Sequence, residues 1–151
     1  MPIIPEQDQE MVRSHFDENL TGNVEMVMFT EKPSMLIVPG KESCETCEPT
    51  RQLLEEVAAL SDKLTLTVKD IAESSEEATA MGVDRIPAII FKGATRGNVR
   101  FFGIPSGYEF SGFIADLVDV SNGSTDLSEE TREFLATLTE DVNIKVFTTP
   151  S

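Results

Sequence analysis

Histidine and cysteine are scarce in this chain. One histidine, His15, and two cysteines, Cys44 and Cys47, are all that 151 residues contain. A structural zinc site closes with four ligands, commonly two cysteine pairs or one pair and two histidines. The inventory excludes such a site built by one chain from sulfur and imidazole alone. Carboxylates or a second chain would have to complete it. Cations are also few, with 12 Lys and Arg against 27 Asp and Glu, for a formal net charge of -15. So acidic a surface repels phosphate backbones and anionic lipid, so no nucleic acid and no membrane surface is expected as a partner. Basic partners are favoured instead. No apolar run approaches the length of a membrane span. The opening Met1-Pro2-Ile3-Ile4-Pro5-Glu6 has neither the basic segment nor the apolar core of a signal peptide. A cytoplasmic protein is therefore expected, and there a CxxC pair is more often catalytic or metal-binding than a permanent staple.

What is present fits one domain with a core of its own, with room for an appendage. Residues 5–20 predict an amphipathic helix, with Pro5 in its first turn and Val12, Phe16 and Leu20 stacked at spacing four. His15 flanks that stripe and is read as a helix-edge residue. Asn23 to Phe29 and Met35 to Val38 predict strands, the second broken by Pro39-Gly40. After the cysteine pair, Leu53, Leu54, Val57, Ala58 and Leu60 mark a helix, and Leu64 to Val68 a strand. Ser74-Ser75-Glu76-Glu77 has the form of a capping box opening a short helix that ends at Gly82. Strands are expected at Ala88 to Phe91, after Pro87, and at Val99 to Phe102. Ser106-Gly107-Tyr108-Glu109 predicts a second capping box, with Phe110, Phe113, Ile114, Leu117 and Val118 as the apolar face behind it. Asn122-Gly123-Ser124 is a turn, followed by a helix over 128–139 and a strand over Val142 to Thr148. Helices between the early strands require a mixed sheet with both faces covered.

The stretch Ser43-Cys44-Glu45-Thr46-Cys47-Glu48 admits several readings. A disulfide across so short a loop removes little chain entropy, which argues against pure stabilisation. Two buried thiols lying close by chance, and a metal or cluster site shared between two chains, remain open. Redox chemistry explains the placement best. The pair sits where a strand turns into a helix, and the unpaired N–H groups and dipole of the helix start favour a thiolate there. A thiolate is the nucleophile in disulfide exchange, and a thiol two residues on can displace the mixed disulfide. A CxxC beside a βαβ pattern is the signature of a thioredoxin-like motif.

Three stretches carry a family resemblance: Cys44-Glu45-Thr46-Cys47 at a helix start, Asp84-Arg85-Ile86-Pro87-Ala88 opening a strand, and Gly103-Ile104-Pro105-Ser106-Gly107-Tyr108-Glu109-Phe110 before a helix. With them the chain resembles the N-terminal unit of glutaredoxin-like protein disulfide oxidoreductases, members of the thioredoxin superfamily built from two thioredoxin folds. The resemblance implies a thiol–disulfide oxidoreductase exchanging disulfides with protein substrates. Cys44 would be the attacking nucleophile and Cys47 the resolving thiol. It implies a cis Pro87 facing the disulfide, with Ile86 and Pro87 shaping a groove in which the Ile86 backbone pairs with an extended substrate. The expected cofactor is none beyond the redox-active disulfide Cys44–Cys47, and the expected electron source is another dithiol or a reductase. A redox-idle interaction module on the same fold is the rival reading.

This chain departs from the family pattern around the thiols. Glu-Thr between the cysteines is unusual, and Glu42, Glu45 and Glu48 surround them against Lys41 and Arg51. Carboxylates disfavour the thiolate, so a less stabilised Cys44 is expected. Val38 stands six residues before Cys44, and no buried acid serving Cys47 is evident. Pro49 lies in the first turn only if the helix begins near Thr46, and should kink a helix that starts at Ser43.

An internal repeat closes the chain. Leu20 to Thr30 can be laid on Leu138 to Thr148 at a constant offset, and Phe16 then falls on Phe134. Met35 to Lys41 becomes an insertion before the active site. The expected architecture is α/β: a thioredoxin-like fold with a mixed central sheet flanked by helices, an N-terminal helix and a C-terminal helix-strand appendage. Residues 1–125 would be the CxxC domain, and 126–151 the start of a second, incomplete unit. Its last strand would pair with an edge of the first unit or of another chain, which makes a homodimer through that strand a candidate assembly.

Overall fold

A computed structural model of the chain describes residues 2–32 and 43–149. The expected strand at Met35 to Val38, its Pro39-Gly40 break, and Lys41 and Glu42 lie outside the described residues. The described elements are, in order, α1 (Glu6–Asn19), β1 (Val24–Thr30), α2 (Cys47–Ala58), β2 (Leu64–Asp70), α3 (Ser75–Ala80), β3 (Ala88–Lys92), β4 (Val99–Phe102), α4 (Tyr108–Asn122) and α5 (Glu129–Ala136).

The sheet runs β2-β1-β3-β4. β1 pairs with β2 in parallel and with β3 antiparallel, and β3 pairs antiparallel with β4. A parallel pair cannot be joined by a hairpin, so the chain must cross over between β1 and β2, and α2 lies in that crossover. Alternation along the strands then sorts the core. Val24, Met26 and Met28 of β1 and Ile89 and Phe91 of β3 face one way, into a cluster with Phe16, Leu53, Leu54, Val57, Phe113 and Leu117. Val27 and Phe29 of β1 and Ala88 and Ile90 of β3 face the other way, against Ala78 and Val83. Helices α1, α2 and α4 thus share one face of the sheet, and α3 covers the other. The mixed, doubly covered sheet expected from the sequence is the one observed.

Helix α1 opens after Pro5 and carries Glu6 and Asp8 in its first turn, where negative charge suits the dipole. Phe16 and Leu20 are buried and Val12 is packed against them, while His15 stays exposed beside Asn19. At the far end of α4, the buried Ser121 hydroxyl accepts from the N–H groups of Thr21 and Gly22 and donates to the Gly22 carbonyl. One side chain thereby fixes the entry into β1 against the last turn of α4. Gly123 ends that helix at φ 61°, and a Cβ there would stand 2.7 Å from the Ala94 carbonyl oxygen. Only glycine fits, because both the left-handed backbone and the close approach exclude a side chain.

Four expectations are corrected. Ser74 does precede α3, but its side chain makes no capping bond. The Glu77 carboxylate that would complete the box pairs with Lys69 of β2 instead. Ser106 does not cap α4 either. That helix starts later, with Gly107 at the cap at φ 60° and no side-chain capping bond. Finally, the helix expected over 128–139 is the shorter α5, capped by Ser128, which accepts from the Thr131 N–H. Beyond it, residues 141–149 form no strand. A strand exists only through a partner for its backbone groups, and none of the four described strands pairs with this segment.

Candidate active site

The two cysteines form a disulfide, with a Cα–Cα distance of 5.4 Å. Cys44 is half-buried and Cys47 is buried. That asymmetry comes from the local backbone. Cys47 is the first residue of α2 and turns into the sheet-facing side of the helix with Thr50, Leu53, Leu54 and Val57. Cys44 precedes the helix, in the turn that the Cys47 N–H closes on the Cys44 carbonyl. Thr46 is the cap, and the Thr50 N–H makes the first regular helical bond to its carbonyl, 3.0 Å away. Pro49 therefore falls in the first turn, where its missing N–H removes no helical bond. The conditional reading of Pro49 resolves in favour of a straight helix start.

The N-terminus of a twelve-residue helix presents partial positive charge to the Cys44 sulfur's side of the turn, which favours a thiolate after reduction. The Thr46 hydroxyl stands 4.0 Å from Cys44 Sγ, a weak contact from the same turn. Of the acidic collar expected around the thiols, Glu45 and Glu48 lie among the described residues. Glu48 is held by the Arg51 guanidinium, whose Nε donates across 3.0 Å, and that bond holds the Glu48 carboxyl below its ordinary range. Arg51 also reaches Glu55, so its charge is shared along α2. Glu45 remains exposed.

Sequence reasoning missed Glu31. The residue follows β1 directly, and its Oε1 accepts the backbone N–H of Cys44, across a sequence gap that no motif spans. The segment presenting it is anchored to the end of β2. Ile71 N–H donates to the Thr30 carbonyl at 2.8 Å, and Asp70 accepts the Lys32 N–H at 2.8 Å. Asp70 also accepts the N–H groups of Glu73 and Ala72, and these bonds hold its carboxyl below the ordinary range.

The Ile86–Pro87 bond is cis. Pro87 is buried and Ile86 half-buried, directly before β3. Because Ala88 pairs with Phe29, the register sets Pro87 at the end of β1 from which Thr30 and Glu31 lead to Cys44. The sheet thus brings the proline and the cysteine pair to one end. The Arg85 guanidinium lies 5.5 Å from the Phe102 ring centre, and the Gly103 N–H bonds the Pro87 carbonyl. Among the described residues no group of three or more His, Cys, Asp and Glu side chains is arranged to hold a metal ion. No described helix is long and apolar enough to cross a membrane.

A half-exposed and a buried cysteine are joined across a helix start, at the end of the sheet where a cis-proline opens β3, the arrangement of a thioredoxin-like fold. The thioredoxin domain family profile matches residues 35–115, and the chain belongs to that family. A protein disulfide oxidoreductase from Aeropyrum pernix is similar in structure at 26% identity and a TM-score of 0.72, over 89% of this chain and 55% of that one. The alkylhydroperoxide reductase AhpF of Enterococcus faecalis shares the fold at 21% identity and a TM-score of 0.73, over 89% of this chain and 61% of that one. The chain therefore spans less than two thirds of either. No curated protein shows significant similarity to it.

Proposed function

We propose that the chain is a thiol–disulfide oxidoreductase acting on protein substrates through Cys44 and Cys47. The observation that carries this reading is the asymmetry of the disulfide, with Cys44 half-exposed before α2 and Cys47 buried as its first residue. In the reducing direction, the Cys44 thiolate attacks one sulfur of a substrate disulfide and displaces the other as a thiolate, which takes up a proton. Cys47 then attacks Cys44 Sγ, closing the Cys44–Cys47 disulfide and releasing the second substrate thiol. The substrate gains two electrons and two protons, and another dithiol or a reductase returns the chain to its reduced form. Ile86 and Pro87 shape the groove for an extended substrate, and the reducing cytoplasm is the proposed setting. The similarity to the Aeropyrum pernix disulfide oxidoreductase supports the assignment.

Thiol counting and insulin reduction test it together. The wild type should show two thiols after reduction, none after mild oxidation, and catalysed insulin reduction that Cys44→Ser lowers to the background of the reductant. Two thiols that persist under oxidant would leave a redox-idle interaction module.

We also propose that residues 126–151 correspond to the opening helix and the first-strand segment of a second thioredoxin-like unit, the latter becoming a strand only when an edge pairs with it. The repeat of Leu20 to Thr30 in Leu138 to Thr148 supports this, as does the outward apolar face of the segment. Phe134 of α5 is 64% exposed, and Val142, Ile144, Val146 and Phe147 are exposed beyond it. Such a segment pairs when an edge is offered, here by a second copy. Amide exchange over 142–148 should slow as the chain is concentrated; exchange that stays fast at every concentration removes this homodimer.

A further inference from the structure

We propose that Glu31 is a positioning residue for Cys44, and that its carboxylate biases the cysteine couple toward the disulfide. The inference rests on the redox role of the pair and deepens it. Three observations carry it. Glu31 Oε1 accepts the Cys44 N–H, so a carboxylate is bonded to the backbone of the residue read as the nucleophile. Its backbone is fixed from both sides, by Ile71 N–H on the Thr30 carbonyl and by Asp70 on the Lys32 N–H. The residue is half-buried, so its charge is screened less than that of a freely exposed side chain.

The other described charges carried by the segments that meet here do not replace it. Lys32 is turned to Glu73, Glu48 to Arg51, and Asp84 to Arg85, each forming an ion pair. Asp70 accepts backbone N–H groups, and Glu45 is exposed on the turn.

The physical consequence follows from which redox state carries charge. In the disulfide Cys44 is neutral, and the carboxylate makes a charge-assisted bond to its N–H at no Coulomb cost. On reduction a thiolate appears on the residue whose N–H that carboxylate accepts, and like charges oppose it. The start of α2 favours the thiolate and Glu31 opposes it. Removing the charge should release the reduced form: the couple becomes more oxidising, and Cys44 ionises at lower pH.

The experiment equilibrates wild type, Glu31→Gln and Glu31→Ala with glutathione and its disulfide. The Cys44–Cys47 disulfide takes two electrons and two protons from two glutathione thiols, yielding two cysteine thiols and one glutathione disulfide. Glu31→Gln keeps an oxygen acceptor for the Cys44 N–H, whereas Glu31→Ala removes both acceptor and charge. At a pH above the Cys44 alkylation midpoint, where the reduced residue is a thiolate, both variants should shift the equilibrium about tenfold toward the dithiol, which is about 30 mV for a two-electron couple. The midpoint of Cys44 alkylation against pH should fall by about one unit, the same tenfold effect. A Glu31→Gln protein that matches wild type in both readouts overturns the charge assignment, whatever Glu31→Ala does. A wild type that does not interconvert with glutathione overturns the redox reading itself, and this inference with it.

Discussion

Cys47→Ser is expected to arrest the chain on its substrate. The first half of the exchange needs only the Cys44 thiolate, which the start of α2 favours and which Cys47 does not touch chemically. The second half needs a thiol already in contact with Cys44 Sγ, and Cys47 is that thiol, at a Cα–Cα distance of 5.4 Å. A hydroxyl in its place has the shape but is not a nucleophile at neutral pH. An external thiol at millimolar concentration must then resolve the mixed disulfide, at a disadvantage of well over about 10³ against a neighbour held in place. Turnover of insulin should fall to background. A covalent adduct should accumulate, visible on a gel without reductant and dissolved by excess reductant. The pair Cys44→Ser and Cys47→Ser should differ qualitatively, because only the second can form the adduct. If Cys44→Ser forms the adduct instead, the roles of the two cysteines are exchanged. The burial difference between them would then have been the wrong guide to which thiol meets substrate.

What could be read from the residues alone followed local chemistry. Alternation of Val24, Met26 and Met28 with Val27 and Phe29 encodes a strand buried on both faces, and the sheet uses both. The helical spacing of Leu53, Leu54 and Val57 likewise sets the buried side of α2. Proline at 49 allows either a helix beginning near Thr46 or a kinked one from Ser43, and the structure adopts the first. What could not be read depended on partners distant in sequence. Glu77 has the spacing of a capping box, yet Lys69 of β2 offers it an opposite charge, and that tertiary contact wins over the local one. Ser106 has the same spacing, but the α4 backbone enters through Gly107 at positive φ, which leaves the serine outside the cap. The segment Val142 to Thr148 has strand composition and no strand partner among the described residues, because composition does not supply an edge. Glu31 is the most consequential of these. Its tie to Cys44 arises because β1 and the turn before α2 meet in space, and the intervening residues hide that proximity from any motif.

Phe113→Ala should remove the largest share of stability of any single truncation on α4. The ring is 1% exposed and meets Phe91 of β3 at 5.3 Å and Phe101 of β4 at 5.8 Å between ring centres. It is the side chain through which α4 grips the outer half of the sheet. Truncating a buried phenylalanine costs about 3–5 kcal/mol, because the lost transfer energy adds to a cavity that rigid neighbours cannot close. The neighbours here are two aromatic rings fixed on paired strands, so collapse into the gap is hindered and the upper half of that range is expected. Set against a typical domain stability of about 5–15 kcal/mol, the loss is a large fraction of the total. At about 2–4 °C per kcal/mol for a chain of this size, the melting point should drop by about 8–20 °C. Denaturation should be followed with the Cys44–Cys47 disulfide kept intact, so that redox state does not move the baseline. Tyr108→Ala, at an 87% exposed position on the same helix, should change stability by less than about 0.5 kcal/mol. The strand that Phe113 holds at Phe91 begins at the cis Pro87. Below its lowered melting point the variant should still exchange disulfides, because none of the reacting atoms has been touched. A Phe113→Ala protein as stable as Tyr108→Ala would mean that α4 is not what clamps β3 and β4 together.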